Sequence, residues 1–434
     1  MVIYKTSSKN LDNNCRHSAA LTGLDRHRKR VIMALFLRVH SVFNEEVDEF
    51  RKAIALRYMR KISREYMTVA TIPNKVYIDY LGERLSIDSD MIEEGKIAAD
   101  YRFKSRDQLR RLLAGFRIPA YFVIPDIGYR FSGEELLLIA LERCALGSRF
   151  LDLQEKYKIH HSAICRGVIY FARWMNENWG YLLRDHFEFW GDYLEESRDA
   201  IKAKMLSQYG YNVDEDLDED FLVALFIDCT IIPSCRTGGG PMAPGVFAAR
   251  YPYLVQEAFY NGWKKCHRIK KQSIGMANGM AFQVSKGYSC RRHDLHLLVE
   301  SDINDRLVEL TSERPPEEHF SCYGDSAYPH QDRITCKRDG DEYTELNKAM
   351  NGCRESIEWM YRDLTQYWKI IGKKHTFQLL TGFERADNII DLCFTLNNAW
   401  NCMNHNETSQ WFQCPPPSFE AYTAEGPRDE MAFD

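Results

Sequence analysis

The chain has 434 residues, 45% of them hydrophobic and 27% charged, with a formal net charge of −5. That balance excludes a disordered or fibrous chain and leaves room for roughly two to four ordinary domains. It also excludes a polycation, so any nucleic-acid contact has to come from local basic patches.

Residues 1–30 carry Lys5, Lys9, Arg16, Arg26, Arg28, Lys29 and Arg30 against Asp12 and Asp25 without periodicity, which reads as a flexible basic arm. The opening MVIYKTSSKN lacks the apolar centre of a secretory signal. The longest apolar runs, such as Ile32–Leu37 and Leu136–Leu141, are far shorter than the roughly 18 residues that span a bilayer. Neither a membrane nor a secreted protein is expected. From Val31 the apolar residues Ile32, Leu35, Val39, Val42, Phe43, Val47 and Phe50 recur at helical spacing. They predict a helical N-terminal region over 31–125, which includes a basic helix at Arg102–Arg117 before Pro119 and Pro125 break the chain.

Ser132 is a predicted N-cap, with Glu134 and Glu135 in the first turn, where the helix dipole favours negative charge, and Gly147 as the stop. A short helix at Phe150–Tyr157, a turn at Lys158–His161 and a helix from Ser162 to about Met175 give a helix-turn-helix outline over 126–180. His160, His161, Ser162, Arg166 and Arg173 could then meet DNA, although helical hairpins are also common in cores. Residues 181–215 read as a Trp- and Tyr-rich connector that runs into the acidic stretch Asp214–Asp220.

Beyond it the pattern changes. Phe221–Ile227 is a continuous apolar run ending at Asp228, read as a buried strand. Gly238–Pro244 is a loop. Strand-like segments follow at Arg268–Ile274 and Met280–Ser285, then Asp294–Leu298, then Phe320–Tyr323 ending at Gly324-Asp325. A long helix from Leu346 to about Ile371 and another from Ala386 to about Met403 complete a domain over 216–405. Pro415–Pro417 open a polar, acidic tail in 406–434. The thirteen cysteines are scattered from Cys15 to Cys414 without a C-x-x-C pair, which points to reduced thiols rather than a disulfide framework or a zinc knuckle.

Three carboxylates stand out: Asp228 and Asp325, each after a predicted strand, and Glu358 on the long helix. Alone, each has a bland reading as a turn residue or a solvated helix face. Together, as hard oxygen ligands, they suit Mg²⁺ or Mn²⁺, and two such ions about 4 Å apart can drive an in-line displacement at phosphorus. Glu358 is preferred to Glu355. With about 100° per residue, Ile357, Tyr361, Leu364 and Trp368 define the buried stripe, Glu358 lies on its flank, and Glu355 faces water. Arg354 and Arg362, one turn either side of Glu358, could steer a phosphate.

The segments Ile227-Asp228-Cys229-Thr230, Gly324-Asp325-Ser326-Ala327-Tyr328-Pro329 and Arg354-Glu355-Ser356-Ile357-Glu358 resemble the three acidic motifs of PIF/Harbinger-type DDE transposases. His293-Asp294 is similar to a segment lying between the first two motifs, and Asn397–Trp400 to the family's final helix. Departures are Cys229 for Gly, Trp359 for Arg and Arg362 for Gly. The resemblance implies an α/β catalytic domain, a ribonuclease-H-like mixed sheet flanked by helices, preceded by an all-α N-terminal region with the helix-turn-helix. It also implies metal-dependent cleavage and strand transfer on double-stranded DNA, nuclear action, a Myb-like DNA-binding protein as candidate partner, and a homo-oligomer as a further candidate. A host-adopted relative that binds DNA or protein without cutting is the rival expectation, and an RNA phosphodiesterase is a third. The run Lys264, Lys265, His267, Arg268, Lys270, Lys271 is a candidate phosphate contact, or else a solvated edge strand. Asp294 is a candidate accessory acid, and His293 a late metal ligand or a structural histidine.

Overall fold

The computed structural model describes residues 85–90, 92–213, 222–236, 257–373, 377 and 379–428. The basic arm, most of the predicted N-terminal helices, the acidic stretch and the Gly238–Pro244 loop lie outside these. Leu81–Phe122, Phe131–Gly239 and Pro252–Asp434 form one compact unit. Of a second unit (Met1–Tyr80, Val123–Arg130, Gly240–Tyr251) only Val123–Arg130 is described.

The first helices are α1 (Ile97–Tyr101) and α2 (Arg106–Gly115). The region is not all-α as expected, because β1 (Tyr121–Ile124) and β2 (Tyr129–Ser132) pair as a hairpin. The Tyr-Phe-Val-Ile segment alternates exposed and buried, the two-residue period of a strand. Helix α3 (Gly133–Leu146) begins where predicted. The Ser132 hydroxyl accepts the Glu135 N–H at 3.1 Å, and Gly147 closes the helix at φ +60°. Leu136–Leu141 are all buried. Helices α4 (Phe150–Tyr157) and α5 (His161–Trp179) complete the predicted order, and Ala163, Ile164 and Val168 of α5 are buried.

The expected connector is instead the 23-residue helix α6 (Phe187–Tyr209), which packs on the central strand. Its Trp190, Leu194, Ile201 and Met205 are fully buried, so the aromatic richness of this stretch reflects core packing.

The sheet comprises β3 (Val223–Pro233), β4 (Tyr260–Asn261), β5 (Cys266–Met276), β6 (Ala281–Val284), β7 (Tyr288–Ser289), β8 (Ser321–Tyr323) and β9 (Ile334–Thr335). Its order is β4-β5-β3-β8-β9, with β6 and β7 also pairing with β5. β3 runs antiparallel to β5 and parallel to β8, and β8 runs parallel to β9. The remaining helices are α7 (Asp294–Glu300), α8 (Ile303–Leu310), α9 (Thr344–Tyr367), α10 (Lys369–Gly372), α11 (Leu379–Asn404), α12 (Glu407–Phe412) and α13 (Phe419–Tyr422). The result is a mixed sheet flanked by helices, compatible with a DDE nuclease fold.

Three further expectations are corrected. β3 does not stop at Asp228, because its ladder with β5 continues to Pro233. Asp294–Leu298 begins a helix rather than a strand, and its Leu297 and Leu298 turn inward one after the other. Residues 406–428 are not a polar tail: Phe412, Cys414, Phe419 and Tyr422 are all buried, and the Tyr422 ring lies 5.9 Å from that of Trp190. All described cysteines are free thiols.

Candidate active site

The pairing of β3 with β8 fixes the first two carboxylates. The last paired residues of this parallel ladder are Phe226 and Tyr323. Asp228 comes two residues later within β3, and Asp325 two residues later in the turn that follows β8, so both acids follow the last rung of the same ladder. β3 is buried from Val223 to Ile227 and becomes half-buried at Asp228. The carboxylates thus sit where the buried part of the sheet ends.

The Gly324–Pro329 turn holds Asp325 in place. Its Oδ1 accepts the Ala327 N–H at 2.9 Å, and its carbonyl accepts the Tyr328 N–H at 3.1 Å. Gly324 is required by packing. A Cβ there would stand 2.5 Å from the Tyr328 ring and 3.0 Å from Ile227, so alanine would displace the ring beside Asp325.

Helix α9 brings the third carboxylate. Cys353, Ile357, Met360 and Leu364 bury its inner face. The Tyr361 hydroxyl donates to the Asp228 carbonyl at 2.9 Å and accepts from Ser273 Oγ at 2.7 Å, tying α9 to both β3 and β5. Arg354, only 17% exposed, lies 3.6 Å from Asp228 and 3.3 Å from Glu358, linking the two acids through one guanidinium. Glu358 itself is exposed, as is Glu355.

Burial pushes the Asp228 carboxyl up to about 6. The Cys229 N–H and Arg354 oppose that shift, while the charges of Asp325 and Glu358 add to it. Between the ordinary carboxylate range and about pH 6 the folded state binds more protons than the unfolded one, so this group's cost grows as pH rises and is complete above about 6. It is on the order of 3 kcal/mol. Metal-free protein is therefore expected to lose stability from pH 4 to pH 7, and Asp228→Asn to flatten that decline. Denaturant midpoints across the range measure it, and an unchanged slope in the variant would assign the titration elsewhere.

The other sequence candidates separate. Two-residue alternation puts Lys270 and Cys229 on the face opposite Asp228 and Ser273. There Lys270 pairs with Asp294, so Asp294 stands with Lys270 rather than joining the three acids. Cys229 Sγ lies 3.5 Å from the Tyr328 hydroxyl, and burial raises its thiol far above the ordinary range. Lys271 is no DNA contact. It is fully buried, with its ammonium 2.7 Å from Asp387 and 2.5 Å from Asp391. Lys264 and Lys265 are exposed, while Arg268 donates to the Ile231 carbonyl at 3.0 Å. His161 is held by Gln154 at 2.9 Å, and Arg166 is exposed. Arg362 pairs with Glu407 and Asp363 instead of facing the acids.

Residues 246–398 match the DDE superfamily endonuclease family. That stretch is about a third of the chain. It includes Asp325 and Glu358 but begins after Asp228. No curated protein and no solved structure matches the chain. Among the described residues no helix is long and apolar enough to cross a membrane.

The donor chemistry of Asp228, Asp325 and Glu358 suits a hard divalent cation. Asp228 feels the charges of Asp325 and Glu358, and its burial opposes ionisation despite the neighbouring Arg354. As they stand, no three Asp, Glu, His or Cys side chains among the described residues are grouped closely enough to hold a metal, so the carboxylates have to close on it.

Tyr361, Arg354 and Gly324 are site residues that spacing alone does not give the right roles. The sequence marks Tyr361 only as part of a buried stripe and Arg354 only as a phosphate contact. The departures from the PIF/Harbinger pattern have local reasons. The Trp359 ring packs edge-on against Trp411 at 5.2 Å, and Arg362 meets Glu407, so both serve the docking of α12.

Proposed function

We propose that the protein is a divalent-metal-dependent DNA endonuclease and strand transferase of PIF/Harbinger type. The observation that carries this reading is that Asp228 and Asp325 each follow the last rung of the parallel β3–β8 ladder by two residues, with Glu358 joined to Asp228 through Arg354. The sheet order, antiparallel on one side of β3 and parallel on the other, supports a ribonuclease-H-like fold.

Asp228, Asp325 and Glu358 would hold Mg²⁺ or Mn²⁺, which when bound supplies an activated water or hydroxyl and stabilises the leaving oxygen. Tyr361 keeps the carboxylates in register by fixing α9 on β3 and β5. With the acids holding a cation, the Arg354 guanidinium would be free to serve a phosphate oxygen. Lys264, Lys265, Arg268 and the start of α5, with His161 and Arg166, would hold the DNA backbone. Nuclear action, a Myb-like partner and self-association rest on the family resemblance alone. The host-adopted alternative gains nothing from Trp359 and Arg362, which face α12 rather than the acids.

The test is nicking of a labelled duplex carrying the element's own ends, with and without Mg²⁺ or Mn²⁺. Arg354→Gln adds a separate expectation. Removing the resident cation should tighten Mn²⁺ binding several-fold, read by titration without DNA, and should lower the salt slope of DNA binding by about one. A variant that binds Mn²⁺ no better would mean that the guanidinium and the metal do not compete.

A further inference from the structure

The β4–β5 hairpin ends in a turn whose chemistry its own folding does not demand. Tyr260 pairs with His267 and Asn261 with Cys266, leaving Gly262–Lys265 as four exposed tip residues. Asn261 Oδ1 accepts the Lys264 N–H at 2.8 Å, and Lys265 takes a left-handed φ of +52°. Asn, Gly and a polar residue suffice for such a turn. Yet Trp263 stands at its tip 80% exposed, with Tyr260 nearby at 44%. The Lys264 ammonium lies 3.7 Å from the Trp263 ring centroid. Neither Lys264 nor Lys265 has an ion-pair partner among the described residues.

An exposed indole followed by two lysines that have no ion-pair partner among the described residues matches one partner chemistry well. Nucleobases offer a π-face to the ring, and the phosphates on either side offer anions to the ammonium groups. The strand also points back to the acids. From Cys266, β5 runs to Ser273, which faces Asp228 across the ladder. At about 3.4 Å per residue that is on the order of 24 Å, or about seven base pairs of duplex.

We propose that the β4–β5 turn is a DNA-docking tip: Trp263 stacks on a nucleobase of the DNA flanking the cut, and Lys264 and Lys265 hold the adjoining phosphates. This rests on the reading of DNA as substrate, though not on cleavage.

The experiment is fluorescence anisotropy of the full chain with a labelled duplex carrying a single-stranded overhang, whose unpaired bases expose their faces, in EDTA across a salt series, followed by nicking with Mn²⁺. Trp263→Ala should weaken binding roughly 5- to 150-fold with an unchanged salt slope, and Trp263→Phe should recover most of it. Lys264→Ala and Lys265→Ala should each lower the slope by about one. The tip residues are exposed, so thermal unfolding of all four variants should match wild type. Unchanged affinity in Trp263→Ala overturns the proposal, as does equal loss in Trp263→Phe or absence of wild-type binding at low salt. If the Trp263 effect holds and no metal-dependent nicking occurs, the tip stands and the nuclease reading falls.

Discussion

Asp228→Asn is expected to lower metal-dependent DNA nicking by at least about a thousandfold without unfolding the protein. A bound divalent cation contributes several kcal/mol of transition-state stabilisation, and about 4 kcal/mol corresponds to that factor. The same substitution removes a buried carboxyl whose ionisation is costly, while its Oδ1 can still accept the Cys229 N–H now held at 2.7 Å. Activity and stability should therefore move in opposite directions at pH 7.5, a pattern that misfolding cannot imitate. Asp325→Asn and Glu358→Gln should lose nicking as well. If Glu358→Gln kept wild-type activity, the third ligand would lie elsewhere and Glu355 would be the next residue to change. If all three variants nicked normally, the carboxylate site would not be the active site.

The second large effect concerns Lys271. Its ammonium is fully buried between Asp387 and Asp391 of α11 and donates to the Ser285 carbonyl at 2.8 Å. Arg184 pairs with the second oxygen of Asp391, so two cations and two carboxylates share one site. Burial opposes ionisation of Asp391, but Lys271 and Arg184 outweigh it and hold its carboxyl below the usual range. Lys271→Met leaves buried negative charge without its partner and should cost about 3–5 kcal/mol. Urea midpoints measure this. Adding Asp391→Asn should cost much less than the sum of the single changes, because the two residues act as one unit. A Lys271→Met protein of normal stability but weakened DNA binding would return this lysine to the surface.

Lys271 also marks the limit of what the sequence discloses. Within the run Lys264–Lys271 every basic residue looks alike, and only the register of β5 against β3 separates an exposed Lys264 from a buried Lys271. The clue lies far off: Asp387 and Asp391 are one turn apart on α11, and the buried Asp391 needs a cation. Local signals were readable. Ser132 and Gly147 bracket α3, and the apolar run before Asp228 is the central strand. The three carboxylates stand out from their places after two apolar runs and on the flank of a long helix, and the resemblance agrees with them, whereas the level of the two aspartates depends on a parallel pairing between segments nearly a hundred positions apart. Helix α6 and the C-terminal helices were missed for a shared reason. Their aromatic residues are separated by polar and proline-rich spacers, and they become core only against partners distant in the chain.

The β3 strand lies before the stretch that matches the DDE superfamily, and α12, which braces Trp359 and Arg362, lies after it. A fragment cut to the matched boundaries would keep two acids, yet it would lose the strand that carries the third and the helix that steadies α9. The smallest unit able to assemble this site is therefore larger than the region by which it is recognised. Its two ends, Val223 and Phe412, are joined through the stacked rings of Phe226 and Phe412, 6.3 Å apart.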